Sequence, residues 1–205
     1  MQENNFNTEL ATLEQEEKAY WTKLRAQKAL VSQYLLGEND ENPAVFIGTY
    51  GKYNGEAGAW GAWIDLTMCD DYDEFIEVCR LLHEDEADPE LAAWDYMYFP
   101  EELYSESIMD RKTFDIIKEY SEADDKEAMD AFITLYGIES MDKFEEMFMG
   151  KWDSEEDFAE HIINECYNLD KMMGRLSYYF DYKSFARDLF LDGYDFENGY
   201  VFYNR

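Results

Sequence analysis

Residues 44–66 read AVFIGTYGKYNGEAGAWGAWIDL, and the division of this stretch decides the fold. AVFIGTY is a short apolar run with β-branched and aromatic residues, which predicts a strand over 44–50. GKYNGEAG is dense in glycine, so a turn-rich loop follows. AWGAWIDL predicts a second strand over 59–66. The glycines at 48, 51, 55, 58 and 61 suggest a phosphate loop, but they do not follow the G-x-G-x-x-G spacing. No G-K-[ST] comes after them, and Lys52 is the one base nearby. Turns and close backbone packing explain these glycines better.

Upstream, residues 8–36 (TELATLEQEEKAYWTKLRAQKALVSQYLL) predict one long helix with Thr8 as its N-cap. Leu10, Leu13, Tyr20, Leu24, Val31 and Tyr34 fall near a heptad seam, which Glu17 and Gln27 interrupt. That favours docking on the body or on a partner helix over a free coiled coil. GENDENP (37–43) is a polar linker. Downstream, 70–83 predicts an amphipathic helix with Tyr72, Phe75, Ile76, Cys79 and Leu82 on its apolar face. A third strand is expected over 90–99, bounded by Pro89 and Pro100.

From 101 to 176 the pattern predicts helices only, near 110–120, 124–136, 140–149, 154–167 and 168–175. Gly137, Gly150 and Gly174 mark stops, and Asp153 or Ser154 marks a start. DYKSFARDLF predicts a short helix running into a strand. LDGYDFENGYVFY then contains a hairpin turned at Asn198-Gly199. The expected class is α+β, in four parts: an N-terminal helical extension (1–43), a small β-rich acidic domain (44–100), a central helical acidic domain (101–176) and a C-terminal α+β segment with the hairpin (177–205).

Charge dominates the composition. There are 48 acids against 17 bases, a formal net charge of -31, yet 46% of residues are hydrophobic and 18% aromatic. Acidic disordered chains are poor in aromatics, so this charge lies over a rich core. The surplus is spread along the chain: residues 44–100 carry 13 acids and 2 bases, and 101–175 carry 22 and 8. Such a surface argues against binding nucleic acid or an anionic membrane. No apolar run is long enough to span a bilayer and no signal-peptide pattern is present. Cys69, Cys79 and Cys166, odd in number and irregular in spacing, fit reduced thiols in a cytoplasm.

Motifs for chemistry are thin. Cys79 and His83 share a helix face, but two ligands do not close a zinc site, and a half-buried cysteine with a rim histidine is the simpler reading. No EF-hand, G-x-S-x-G or H-E-x-x-H occurs. With 48 acids, no carboxylate pair is singled out for glycoside hydrolysis. Neither an enzyme, nor a metal centre, nor a cofactor site is expected.

The acids themselves form the candidate site. Asp70, Asp73, Glu74 and Glu77 make a stripe opposite the apolar helix face, and Glu84, Asp85, Glu86, Asp88 and Glu90 continue it. Acids one helical turn apart are spaced by about 5.4 Å, the order of the phosphate spacing along a strand. A stability-driven surface would intersperse the two signs, whereas Lys52 and Arg80 are the bases between 44 and 100. Duplex DNA carries a charge every ~1.7 Å of axis, so the net charge matches roughly 50 Å of duplex. These features point to a DNA mimic; the alternative is an acidic adaptor that binds a basic protein through the N-terminal helix. Deleting residues 1–43 is expected to spare inhibition under the first reading and to abolish binding under the second. Crowding is expected to raise the carboxylate pKa values, so that mild acid or added salt stabilises the fold.

Three segments carry a family resemblance: VFIGTYGKYNGEAGAWGAWIDL, DEADPELAAWDY, and FDYKSFARDLFLDGYDFENGYVF with its Ala186-Arg187-Asp188. In this order they resemble the landmarks of the ArdA antirestriction family, over about 44–205. The resemblance implies an elongated, curved, multi-domain homodimer that imitates bent B-form DNA. Its implied partner is the DNA groove of the specificity and methyltransferase subunits of type I restriction–modification enzymes, as fits a mobile genetic element. The helix over 8–36 is additional to that pattern. The mimic surface is expected to include the nine acids above, with Glu101, Glu102, Asp124, Asp125, Glu155, Glu156 and Asp157 from the helical section. The dimer contact is expected at Phe185, Leu189, Phe190, Tyr194, Phe196, Tyr200 and Phe202, where charge is sparse relative to aromatics.

Overall fold

The computed structural model describes residues 12, 15, 18, 19, 21–52, 60–167 and 169–204. The expectations at Thr8, Leu10, Leu13, Glu17 and Tyr20, and for the loop over 53–59, fall outside those residues. The class is α+β with two small antiparallel sheets. The chain divides into two compact units, the first ending at Glu122 and the second beginning at Ala123.

In the first unit, helix α1 covers residues 21–30 and stops before a short 3-10 turn, Ser32–Tyr34. It docks on the body: Leu24 and Val31 are buried, and so is Gln27. The Leu36 amide then donates to the Trp63 carbonyl at 3.1 Å. Strand β1 (Ala44–Thr49) is central, flanked by β2 (Ala62–Asp65) and β3 (Leu91–Met97), in the order β2-β1-β3. β2 is shorter than the predicted 59–66.

The β1–β3 register shifts between Phe46 and Ile47, which face Asp95 and Ala93, so Trp94 is the bulged residue. Its ring stacks on Phe46 at 6.0 Å and lies over Gly48, where a Cβ would stand 2.5 Å from it. Close packing is therefore what Gly48 is for. Helix α2 (Tyr72–Leu82) is N-capped by the Asp71 carboxylate, which accepts from the Glu74 amide. Phe75, Val78, Cys79 and Leu82 of α2 are buried, and Phe75 stacks on Phe114 of α3 (Arg111–Glu122) at 5.6 Å.

The second unit contains α4 (Lys126–Tyr136), α5 (Phe144–Met147), β4 (Phe148–Lys151), α6 (Glu155–Cys166), α7 (Leu169–Met173), α8 (Tyr182–Asp192), β5 (Tyr194–Glu197) and β6 (Tyr200–Tyr203). β4 corrects the expectation of helices alone over 101–176. It pairs with β6 in the sheet order β4-β6-β5, so residues on both sides of 176 share one sheet. Gly150, expected as a helix stop, lies within that strand at φ 97°. Asn198 (φ 51°) and Gly199 (φ 89°) make the hairpin turn as expected. Ser154 caps α6 through the Asp157 amide. Phe132, Phe144, Phe148 and Phe202 form an aromatic core, with ring centroids 5.3–5.9 Å apart for the Phe132–Phe202, Phe144–Phe148 and Phe148–Phe202 pairs.

Candidate acidic interaction surface

The segment after α2 is held from the inside. His83 is fully buried, not the rim residue expected. The Lys52 ammonium lies 3.1 Å from His83 Nδ1, 2.7 Å from Asp85 Oδ1 and 3.1 Å from Glu86 Oε1. An ammonium can only donate, so Nδ1 accepts and the ring proton sits on Nε2. The same Lys52 lies over the Trp60 ring, 5.3 Å from its centroid.

The donor atoms of His83, Asp85 and Glu86 lie within 4.8 Å of one another, close enough in principle to hold a metal ion. In this arrangement the cation at their centre is Lys52. The site is built as an internal ion cluster, and the histidine serves it as a neutral acceptor. Burial, with Lys52 beside it, lowers the His83 imidazole to about 4; the Ile47 carbonyl and the two carboxylates pull weakly the other way.

The helix outside the family pattern completes the cluster. Gln27 donates to Asp85, and the Lys23 ammonium lies 3.0 Å from the same carboxylate. Burial alone would raise Asp85; Lys52, Lys23 and Gln27 outweigh it and lower it to about 2. Gln27 thus interrupts the seam because it is a buried hydrogen-bonding residue. Thr49 donates to Glu86 at 2.7 Å. Glu74 accepts from the Asp70 amide and from the Tyr34 hydroxyl, and both hold it below the usual carboxylate range.

The remaining sequence-predicted acids lie outward. Asp70, Asp73, Glu77, Glu84, Asp88, Glu90, Glu101 and Glu102 of the first unit are exposed, as are Asp124, Asp125, Glu155, Glu156 and Asp157 of the second. Asp73 pairs with Arg111 at 2.7 Å in an exposed contact, and Asp125 accepts from the Tyr200 hydroxyl at 2.7 Å. Glu155, Glu156 and Asp157 occupy the first turn of α6, where the helix dipole favours acids. From 81 to 110 the sequence has no Lys or Arg.

The carboxylates do not behave as crowding alone predicts. Among the described residues, every carboxylate with a resolved shift is lowered: Glu74, Asp85, Asp110, Glu127 and Asp181. Each has a dedicated donor, such as the Thr113 amide for Asp110 and the Lys151 ammonium for Glu127. Local hydrogen bonds outweigh the general repulsion at these sites.

Of the side chains expected at a dimer contact, Tyr200 and Phe202 have no exposed surface. Tyr200 is spent on Asp125, Glu127 and Lys151, and Phe202 on the aromatic core. Phe185, Leu189, Phe190, Tyr194 and Phe196 are half-buried. Exposed apolar side chains lie mostly just before them: Met172 (68%), Leu176 (62%), Tyr178 (88%) and Tyr179 (84%), with Leu191 (79%) among them in α8.

Compared with known families, residues 45–202 match the model described as antirestriction protein (ArdA). The chain belongs to the ArdA antirestriction family. Its function class is therefore antirestriction, and the family is one of inhibitor proteins rather than enzymes. A restriction enzyme is the partner this membership suggests. The match begins at Val45, so α1 lies outside it. No protein of curated function matches the chain. Among the described residues no helix is long and apolar enough to cross a membrane.

Proposed function

We propose that this ArdA-family chain inhibits type I restriction–modification enzymes by imitating bent B-form DNA and filling the groove formed by their specificity and methyltransferase subunits. The observation that carries this reading is the set of exposed acids on one folded unit, Asp70, Glu77, Glu84, Asp88, Glu90, Glu101 and Glu102, with no Lys or Arg in the sequence between 81 and 110. A DNA-binding groove presents Lys and Arg to phosphates and draws much of its affinity from counterion release. Carboxylates on a rigid scaffold meet the same cations. The complex is non-covalent and weakens as salt rises.

Homodimerisation belongs to the same proposal. Two copies that each carry a net charge of -31 repel, so their seam is apolar. The exposed Met172, Leu176, Tyr178, Tyr179 and Leu191, beside the half-buried Phe185, Leu189 and Phe190, offer such a seam. The acidic-adaptor alternative gains no observation of its own, because Leu24 and Val31 of the helix it would use are buried in the first unit.

The test is inhibition of a purified type I enzyme by the chain, with cognate duplex as competitor, at two salt concentrations. Reversal of Glu84, Asp88 and Glu90 to Lys is the cleanest variant: all three are exposed and lie outside helices. The expected result is at least tenfold weaker inhibition with an unchanged melting temperature. Inhibition that ignores salt, duplex and these reversals would refute the mimic.

A further inference from the structure

Tyr98 combines an unusual backbone with an exposed, uncommitted side chain. Its backbone is left-handed, at φ 63°; among the described residues the other non-glycine residue with positive φ, Asn198, is explained by its hairpin turn. The residue is 48% exposed. Its side chain makes no hydrogen bond, ion pair or ring contact among the described residues. Three other tyrosines of the first unit are used internally: Tyr34 donates to Glu74, Tyr72 to the Met109 carbonyl and Tyr104 to the Ala93 carbonyl.

The neighbours explain how this conformation is imposed. Tyr96 stacks on Tyr104 at 4.5 Å and contacts Phe99 at 5.2 Å. Phe99 is buried, and Pro100 leads into the turn Glu101–Leu103. With both flanking aromatics committed inward, the chain reverses at Tyr98 and leaves its ring outside. Glycine would accept this φ without cost, whereas tyrosine is disfavoured there and is not compensated by burial. The ring stands within the base-free run from 81 to 110, with exposed Asp95, Glu101 and Glu102 close to it in sequence.

We propose that Tyr98 is the anchor of the acidic surface: an aromatic face presented to an Arg or Lys of the target's DNA-binding groove. Carboxylates draw cationic side chains in through long-range attraction, which is forgiving of position. A rigid aromatic supplies short-range cation–π and packing contacts, the property of interface hot spots. Strained backbone would thus hold the one group whose placement matters most. This inference rests on the mimic reading above.

The experiment compares Tyr98→Asn, Tyr98→Phe and the Glu101→Lys/Glu102→Lys pair in inhibition of a purified type I restriction enzyme, with thermal unfolding in parallel. Asn accepts positive φ, so its melting temperature is expected to equal or exceed that of the unchanged chain, while inhibition weakens about tenfold, the effect of a moderate hot spot. Tyr98→Phe keeps the ring and inhibits within about twofold of the unchanged chain. If Tyr98→Asn inhibits normally, or loses inhibition only in step with a lowered melting temperature, the anchor role is overturned. The charge-reversed pair separates the two readings. If it weakens inhibition while Tyr98→Asn does not, only the anchor fails; if neither variant matters, the mimic fails too.

Discussion

Acidification from neutral should destabilise the first unit, and His83 sets the size of the effect. Its imidazole is buried beside Lys52 and falls from 6.5 to about 4 in the folded chain. As pH drops below 6.5, the unfolded chain takes up this proton and the folded chain does not. The stabilisation is therefore complete above the unfolded value and lost progressively down to the folded one. At pH 5 roughly 97% of unfolded and 10% of folded imidazoles are protonated, so stability is about 2 kcal/mol lower than at pH 7. A loss of that size moves a melting temperature by on the order of 5–10 °C. The assay is urea unfolding followed by tryptophan fluorescence at pH 7, 6 and 5. The control is His83→Gln, which removes the titration and should flatten the profile. Stability that rises from pH 7 to pH 5 would refute the buried-neutral assignment and restore carboxylate crowding as the governing term.

Three other substitutions probe the same packing. Lys52→Met keeps length and removes the cation from Asp85 and Glu86; urea unfolding should show a loss of about 2 kcal/mol, below the full cost of a broken buried pair because other donors remain. Removal of residues 1–36 uncovers the sites of Leu24 and Val31 and should cost about 3 kcal/mol by the burial of two such side chains. Inhibition by that truncated chain must therefore be measured well below its midpoint temperature, which calorimetry would give. Gly48→Ala places a Cβ against the Trp94 ring and should destabilise by about 1–3 kcal/mol, with a shift in tryptophan emission as the ring is displaced.

What the sequence revealed, and what it hid, follows from the range of the forces involved. The strands at 44–49 and 91–97, helix α2 and the Asn198-Gly199 hairpin are written in local signals: β-branched runs, a 3.6-residue stripe and a left-handed turn. β4 is four residues long, carries Gly150 and no β-branched residue, and pairs with a strand some fifty positions away. Nothing local marks it. The outward acids were legible because charge on a helix stripe has few other places to go. Asp85, Glu86 and Glu74 were not separable from them, since their partners Lys23, Gln27, Tyr34, Thr49 and Lys52 lie 33 to 62 positions earlier in the chain. His83 read as a rim residue because the helix ends there; its burial comes from the chain folded over it. Tyr98 carried no sequence signal at all, as its peculiarity is a backbone angle.

The position of β6 in its sheet has a consequence for synthesis. It lies between β4 and β5, yet it follows both in sequence. While the ribosome is still adding residues before Tyr200, β4 lacks its hydrogen-bonding partner and Phe132, Phe144 and Phe148 lack the Phe202 ring they close upon. Helices α4 and α6 can form locally in that interval, but their apolar faces have nothing complete to cover. The second unit is thus expected to lock in a single late step, when the β5–β6 hairpin docks its β6 edge against β4. In the meantime the nascent chain's dense negative charge would keep those open faces from finding one another on neighbouring chains.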